Sequence, residues 1–122
     1  ARHAKASVLL REGKQAEALE VFKTLSSEVK SAEGAEARYR LIEAEYAAKR
    51  YDKAEEMVYA FSDSKTPQNY WLAKSFILLG DIYMSRGDSF QARATYQSVV
   101  DGYSPADDGI VEEAKSKIAK MN

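Results

Sequence analysis

Cysteine is absent from this sequence of 122 residues, and His3 is its only histidine. The first absence excludes disulfides and thiolate metal sites. A single histidine at the start of the chain leaves no base to activate a serine or threonine nucleophile. Gly80 and Gly87 stand in or just after a predicted helix, so no glycine-rich phosphate loop is present. We therefore predict no catalytic, metal or cofactor-binding residues.

The sequence also lacks an excess of either charge and any long apolar run. Its 18 basic and 19 acidic residues give a formal net charge of -1. This balance offers no attraction to a nucleic-acid backbone or an anionic lipid surface. No apolar run approaches the roughly 20 residues that cross a bilayer. We expect neither nucleic-acid binding nor membrane insertion, and the lack of cysteine leaves both cytoplasm and periplasm open.

The acidic run "DGYSPADDG" does not fit a calcium-binding loop. When the loop is aligned on Gly109, Ala106 falls at a ligand position and Lys115 falls where a glutamate is needed. Asp107 and Asp108 are better interpreted as acids in the first turn of the last helix.

Proline is scarce, and both prolines follow a hydroxyl residue, in Thr66-Pro67 and Ser104-Pro105. A hydroxyl N-cap followed by proline is typical of a helix start. Asp88 is a third predicted cap, with Gln91 as its partner. Apolar residues recur at helical spacing and show no sustained alternation, which argues against strands. Seven helices are predicted, at about 2–12, 14–29, 35–49, 51–64, 67–86, 88–102 and 106–121.

Three segments align on small residues. Ala18, Ala54 and Ala92 each follow a turn and precede an apolar stripe, at intervals of 36 and 38 residues. Gly80 lies twelve residues before Ala92. We interpret Gly80 and Ala92 as the residues at which two antiparallel helices cross, because a larger side chain would push the helices apart.

This pattern resembles the tetratricopeptide repeat. The last copy carries Leu79-Gly80, Tyr83, Gly87, Ala92 and Tyr96. The middle copy carries Leu41, Tyr51 to Ala54 and Phe61, with Ile42 where a small residue is expected, and the first copy keeps Gly13, Ala18, Phe22 and Leu25. The resemblance implies an all-α fold, an α-α superhelix (solenoid) in a single domain, 1–122. Its parts would be three helix-turn-helix repeats, at about 2–30, 35–66 and 70–104, and a C-terminal capping helix at about 106–121.

In this family the first helix of each pair lines a concave groove. Carried over to this chain, the resemblance predicts a partner-binding groove made of Tyr39, Glu43, Tyr46, Lys74, Ile77, Asp81 and Met84, with Ser7 and Leu10 from the first pair. Aromatic walls and acidic points would suit a protein or peptide segment with apolar and basic residues. The alternative interpretation is that the tyrosines only pack against the next pair. The carboxylate clamp of the chaperone-binding members is not expected, because Ser7, Glu43 and Asp81 stand where asparagine is needed.

Two further interaction surfaces are possible. Tyr70-Trp71 is either an exposed anchor or a seal between the second and third pairs. The last helix places Ile110, Ala114, Ile118 and Met121 on one stripe, with Lys and Glu opposite, as a terminal cap should. At the other end, repeats missing before Ala1 would expose an apolar edge that allows self-association.

Two functions follow from these predictions. The first is a non-enzymatic module that presents its groove to a partner protein. The second is a purely architectural repeat segment of a larger envelope or scaffold protein, with no free ligand. The repeats resemble those of bacterial envelope-associated proteins, which favours an envelope location by analogy. RNA binding is disfavoured, because no basic stripe follows the inner helices.

Overall fold

The computed structural model describes residues 28–103 and 108–121. These residues form five α-helices: α1 (Ala32–Ala47), α2 (Tyr51–Asp63), α3 (Asn69–Ser85), α4 (Ser89–Gly102) and α5 (Ile110–Lys120). The described part contains no strand, which confirms the all-helical prediction. The predicted helix at 2–12, most of the one at 14–29, and Ser7, Leu10 and Ala18 lie outside the described residues.

Capping residues fix two helix starts. The Ser31 hydroxyl accepts a hydrogen bond from Gly34 N at 2.9 Å, so α1 starts before the predicted residue 35. Asp88 accepts from Gln91 N at 3.1 Å, which confirms the predicted cap of α4. Each cap satisfies a backbone donor that the first helical turn leaves without a partner.

The predicted start at Pro67 is wrong, because α3 begins at Asn69. The Thr66 hydroxyl does not cap the helix. It donates to Val29 O and accepts from Gln68 N at 3.2 Å. The Gln68 side chain in turn donates to Lys30 O at 2.9 Å. The proline segment is therefore tied to the turn that precedes α1.

The last helix also starts later than predicted. Gly109 adopts a left-handed conformation with φ of 90°, and α5 begins at Ile110. Asp108 therefore precedes the first turn, and its carboxylate accepts hydrogen bonds from Ile110 N at 3.1 Å and from the Tyr103 hydroxyl. The acids in the first turn are Glu112 and Glu113 instead. Asp107 lies outside the described residues.

The odd-numbered helices run parallel to one another. Tyr39 and Trp71 stack near the amino ends of α1 and α3, with ring centres 5.7 Å apart. At the carboxyl ends of the same helices, the Tyr46 and Ser85 hydroxyls lie 3.4 Å apart. Short connections bring α2 and α4 back in the opposite direction. The central helix, α3, packs against each of the other four.

Small residues lie where helices approach closely. Ala54 and Ala92 are fully buried. A Cβ built on Gly80 would meet the ring of Tyr96 from α4 at less than 3.0 Å, closer than real Cβ contacts. Ile42 is also fully buried, so the core of the α1–α2 pair accepts an isoleucine. The predicted close crossing of α3 and α4 therefore has its physical reason in the Tyr96 ring.

Candidate functional site

One surface of the molecule is formed by the three parallel helices α1, α3 and α5, and we call it the inner surface. Among the predicted groove residues, Met84 is the most exposed, at 41%. Tyr39 and Ile77 are buried, at 7% and 2%. Their side chains lie beneath the inner surface and are not accessible to a partner. The other four predicted residues, Glu43, Tyr46, Lys74 and Asp81, are half-buried.

The amino end of the inner surface is an aromatic cluster covered by the chain's own cations. The Arg40 guanidinium lies 5.4 Å from the ring centre of Tyr39 and 5.8 Å from that of Trp71. Lys74 Nζ lies 5.7 Å from the Tyr39 ring centre. Burial, followed by the neighbouring Glu43, raises the pKa of Tyr39. Cation–π contacts of this kind leave little aromatic surface for a ligand.

Trp71 lies in the joint between the first and second described pairs. Its ring contacts Tyr39 of α1 and meets Tyr70 edge-on, with ring centres 4.9 Å apart. Trp71 is half-buried and Tyr70 is 38% exposed. Of the two predictions for Tyr70-Trp71, this arrangement favours a seal between helix pairs over an exposed anchor.

Both predicted acidic points have partners within the chain. Glu43 accepts from Arg40 at 3.1 Å. The Asp81 carboxylate accepts from Lys117 Nζ at 2.9 and 3.1 Å and from the Tyr96 hydroxyl at 2.5 Å. Burial, together with the bond to Asp81, raises the pKa of Tyr96. The negative charge of Asp81 is therefore already balanced by Lys117, so Asp81 offers little attraction to a basic ligand.

Lys117 and Tyr96 were not among the predicted site residues. Lys117 was assigned to the solvent side of the last helix, but it reaches α3 beside the apolar stripe. A second ion pair, between Lys74 and Glu113 at 3.4 Å, also joins α3 to α5. The sequence singled out Tyr96 only as a signature position of the repeat, and nothing in the sequence pointed to Lys117.

The carboxyl end of the inner surface is open. A groove of about 410 Å³ lies between α1, α3 and α5, and its exposed apolar side chain is Met84. A hydrogen bond of 3.4 Å between the Tyr46 and Ser85 hydroxyls and one of 2.9 Å from Lys117 Nζ to Asp81 hold its walls. The groove is lined by Tyr46, Asp81, Met84, Ser85, Tyr96, Lys117, Lys120 and Met121.

The described residues hold no cluster of side chains that could ligate a metal ion. Within the same ranges, no helix combines the length and apolar character needed to cross a membrane. Every buried side-chain nitrogen and oxygen there has a hydrogen-bond partner. Of the polar groups of the inner surface, Lys74, Asp81 and Lys117 join α3 to α5.

Comparison with known proteins gives one finding. A family model described as a tetratricopeptide repeat-like domain matches residues 1–120. Neither the curated proteins nor the solved structures gave a match.

Proposed function

Because the chain belongs to the tetratricopeptide repeat-like family, whose members serve as protein-interaction or scaffold modules, we propose that it holds a segment of a partner protein in the groove at the carboxyl end of its inner surface. The observation that carries this proposal is the groove of about 410 Å³ between three helices. Concave sites with apolar walls and a few polar groups are the usual binding sites of proteins. The role is that of a binding module and not of an enzyme.

The chemistry of the groove supports an apolar anchor in the partner. Met84 and Met121 offer flexible side chains that adapt to the shape of a ligand. Tyr46 adds an aromatic wall whose hydroxyl is already bonded to Ser85. Because Asp81 is paired with Lys117, contacts with basic residues are not expected to dominate.

Substitution of Met84 tests this proposal. Met84→Asp should abolish capture of a partner from a lysate, because it places a charge among the apolar contacts. Ala60→Asp adds the same charge at an exposed position of α2 and should leave capture intact. Asp81→Lys is a poor probe, since it would break the bonds to Lys117 and Tyr96 and destabilise the fold.

Quantitative mass spectrometry of the captured proteins distinguishes the two functions. A partner retained by the parent and by Ala60→Asp but lost by Met84→Asp supports the groove. A partner retained equally by all three contradicts it. If none retains a partner, the architectural alternative is favoured, in which the repeats only stack within a larger protein.

A further inference from the structure

The groove at the carboxyl end of the inner surface contains one acidic and two basic side chains, Asp81, Lys117 and Lys120. Lys117 Nζ donates to both oxygens of Asp81, at 2.9 and 3.1 Å, so these two charges balance each other. Lys120 is exposed in the last turn of α5 and has no acidic partner within residues 28–103 and 108–121. The groove therefore keeps an unbalanced positive charge.

The hydrogen-bonding groups that the groove leaves unused are mostly donors. The Lys120 ammonium carries three N–H donors, and none of them has an acceptor in the described part of the chain. The Tyr46 and Ser85 hydroxyls share one hydrogen bond at 3.4 Å, which uses only one of their two protons. The Asp81 carboxylate, by contrast, already accepts from its ion-pair partner and from the Tyr96 hydroxyl. A carboxylate of a ligand would satisfy these donors and balance the charge.

Apolar side chains lie beside the unbalanced charge. Met121 directly follows Lys120, and both line the groove together with Met84, which is 41% exposed. The hydrocarbon stem of a lysine can itself pack against an apolar surface while its ammonium stays in water. A ligand can therefore place an apolar side chain against the methionines while a neighbouring carboxylate reaches Lys120.

On the basis of the function proposed above, we infer that the partner segment in the groove is acidic as well as apolar. A large apolar side chain lies against Met84, and a nearby aspartate or glutamate side chain pairs with Lys120. The carboxylate belongs to a side chain and not to a chain terminus, because Glu43 and Asp81 stand where the family's clamp for a terminal carboxylate needs asparagine. The charge that selects the partner is thus opposite in sign to the basic residues expected from the sequence alone.

Selection of displayed peptides on the full chain tests this inference. The probe is a library of random peptides held between two linkers, so that no member presents a free terminal carboxylate. The parent should enrich segments in which an apolar residue has an aspartate or glutamate close by in the sequence. Lys120→Glu should instead enrich apolar segments with lysine or arginine, because the unbalanced charge of the groove is reversed.

The affinity of one enriched acidic peptide then measures the effect of the charge. Lys120→Glu should weaken its binding at least about fivefold, since an exposed attraction becomes a repulsion. Binding to the parent should also weaken as added salt screens the pair. Lys115→Glu makes the same change of net charge at another exposed position of α5 and should bind like the parent. Thermal melts should show that both variants are folded, because both lysines are exposed and neither has a partner among the described residues.

Failure of this inference can be distinguished from failure of the proposed function. Apolar peptides without an acid, bound by the parent and lost by Met84→Asp, would overturn the inference and leave the groove as the binding site. The inference is also overturned if Lys120→Glu and Lys115→Glu bind the acidic peptide equally well, or if only a library with free carboxyl termini yields binders. A parent that enriches no peptide, or peptides that bind Met84→Asp and Lys120→Glu as tightly as the parent, would overturn the inference and the proposed function together.

Discussion

Gly80 shows how one missing side chain determines a helix contact. The Tyr96 ring lies directly over it, and the Tyr96 hydroxyl reaches Asp81, the next residue of α3. Tyr96 is only 2% exposed, so its ring is part of the packed core. The glycine therefore lets one tyrosine both fill the core and fix a carboxylate of the inner surface.

Gly80→Ala should lower the free energy of unfolding by about 1–3 kcal/mol. The new methyl group displaces Tyr96 and weakens its bond to Asp81, and this outweighs the gain of roughly 1 kcal/mol in helix propensity. Gly102→Ala is the matched control, since a Cβ there meets nothing within 4 Å. Urea unfolding of both variants measures the difference, and equal stabilisation by both substitutions would show that Tyr96 does not occupy the place described.

At the scale of elements, α2 and α3 are joined by a polar cluster around Glu55. Arg86 at the carboxyl end of α3 donates to Glu55 at 2.7 Å and also pairs with Asp52. Tyr83 donates to Glu55 at 2.8 Å, and its hydroxyl lies 2.9 Å from that of Tyr59. The hydrogen bond from Arg86 is the main reason that the pKa of Glu55 lies below its ordinary value of 4.5.

This lowered pKa predicts a loss of stability in acid. Because the folded state holds Glu55 ionised more strongly than the unfolded state does, the contribution is present above pH 4.5 and is lost as the pH falls below that value. Glu55→Gln should therefore destabilise the protein near neutral pH, and the difference from the parent should shrink in acid. Glu56→Gln, at an exposed neighbouring position, is the control. Unfolding curves that keep the same separation at every pH would contradict the prediction.

The helices themselves could be predicted from local chemistry, but their exact starts could not in every case. Asp88 caps α4 as its spacing to Gln91 predicts. Thr66, a hydroxyl followed by Pro67, was also predicted to be a cap, yet its hydroxyl bonds to Val29, a residue 37 positions away. A tertiary hydrogen bond of this kind competes with the cap and leaves no trace in the sequence around Pro67.

The inner surface was likewise predictable in part: the helix face on which a residue lies could be predicted, but its exposure could not. Helical spacing placed Tyr39, Glu43 and Tyr46 on one side of α1. Their exposure depended on neighbours that spacing does not reveal, since Arg40 covers the Tyr39 ring. The partner of Asp81, Lys117, lies 36 residues further along, on a helix that was expected only to cap the core.

At the scale of the whole molecule, α3 occupies a different position from the other helices. Units of a linear repeat array contact only their neighbours, so an array can open from its ends. Here α3 packs against α1, α2, α4 and α5. It contains the fully buried Leu79 and Ile82, and Asp81 and Lys74 join it to α5 by ion pairs.

Amide hydrogen exchange should therefore be slower in α3 than in α5. The amides of α3 can exchange only when the packing on both sides opens, so their protection should equal that of complete unfolding. The amides of α5, whose main contacts among the described helices are with α3 and α4, should exchange earlier by local fraying. Exchange followed by mass spectrometry would resolve the two helices as separate peptides, and equal rates in α3 and α5 would contradict this order. If α3 is the more protected helix, it is the cooperative unit of the domain, because its opening exposes each of the other four described helices to the solvent at once.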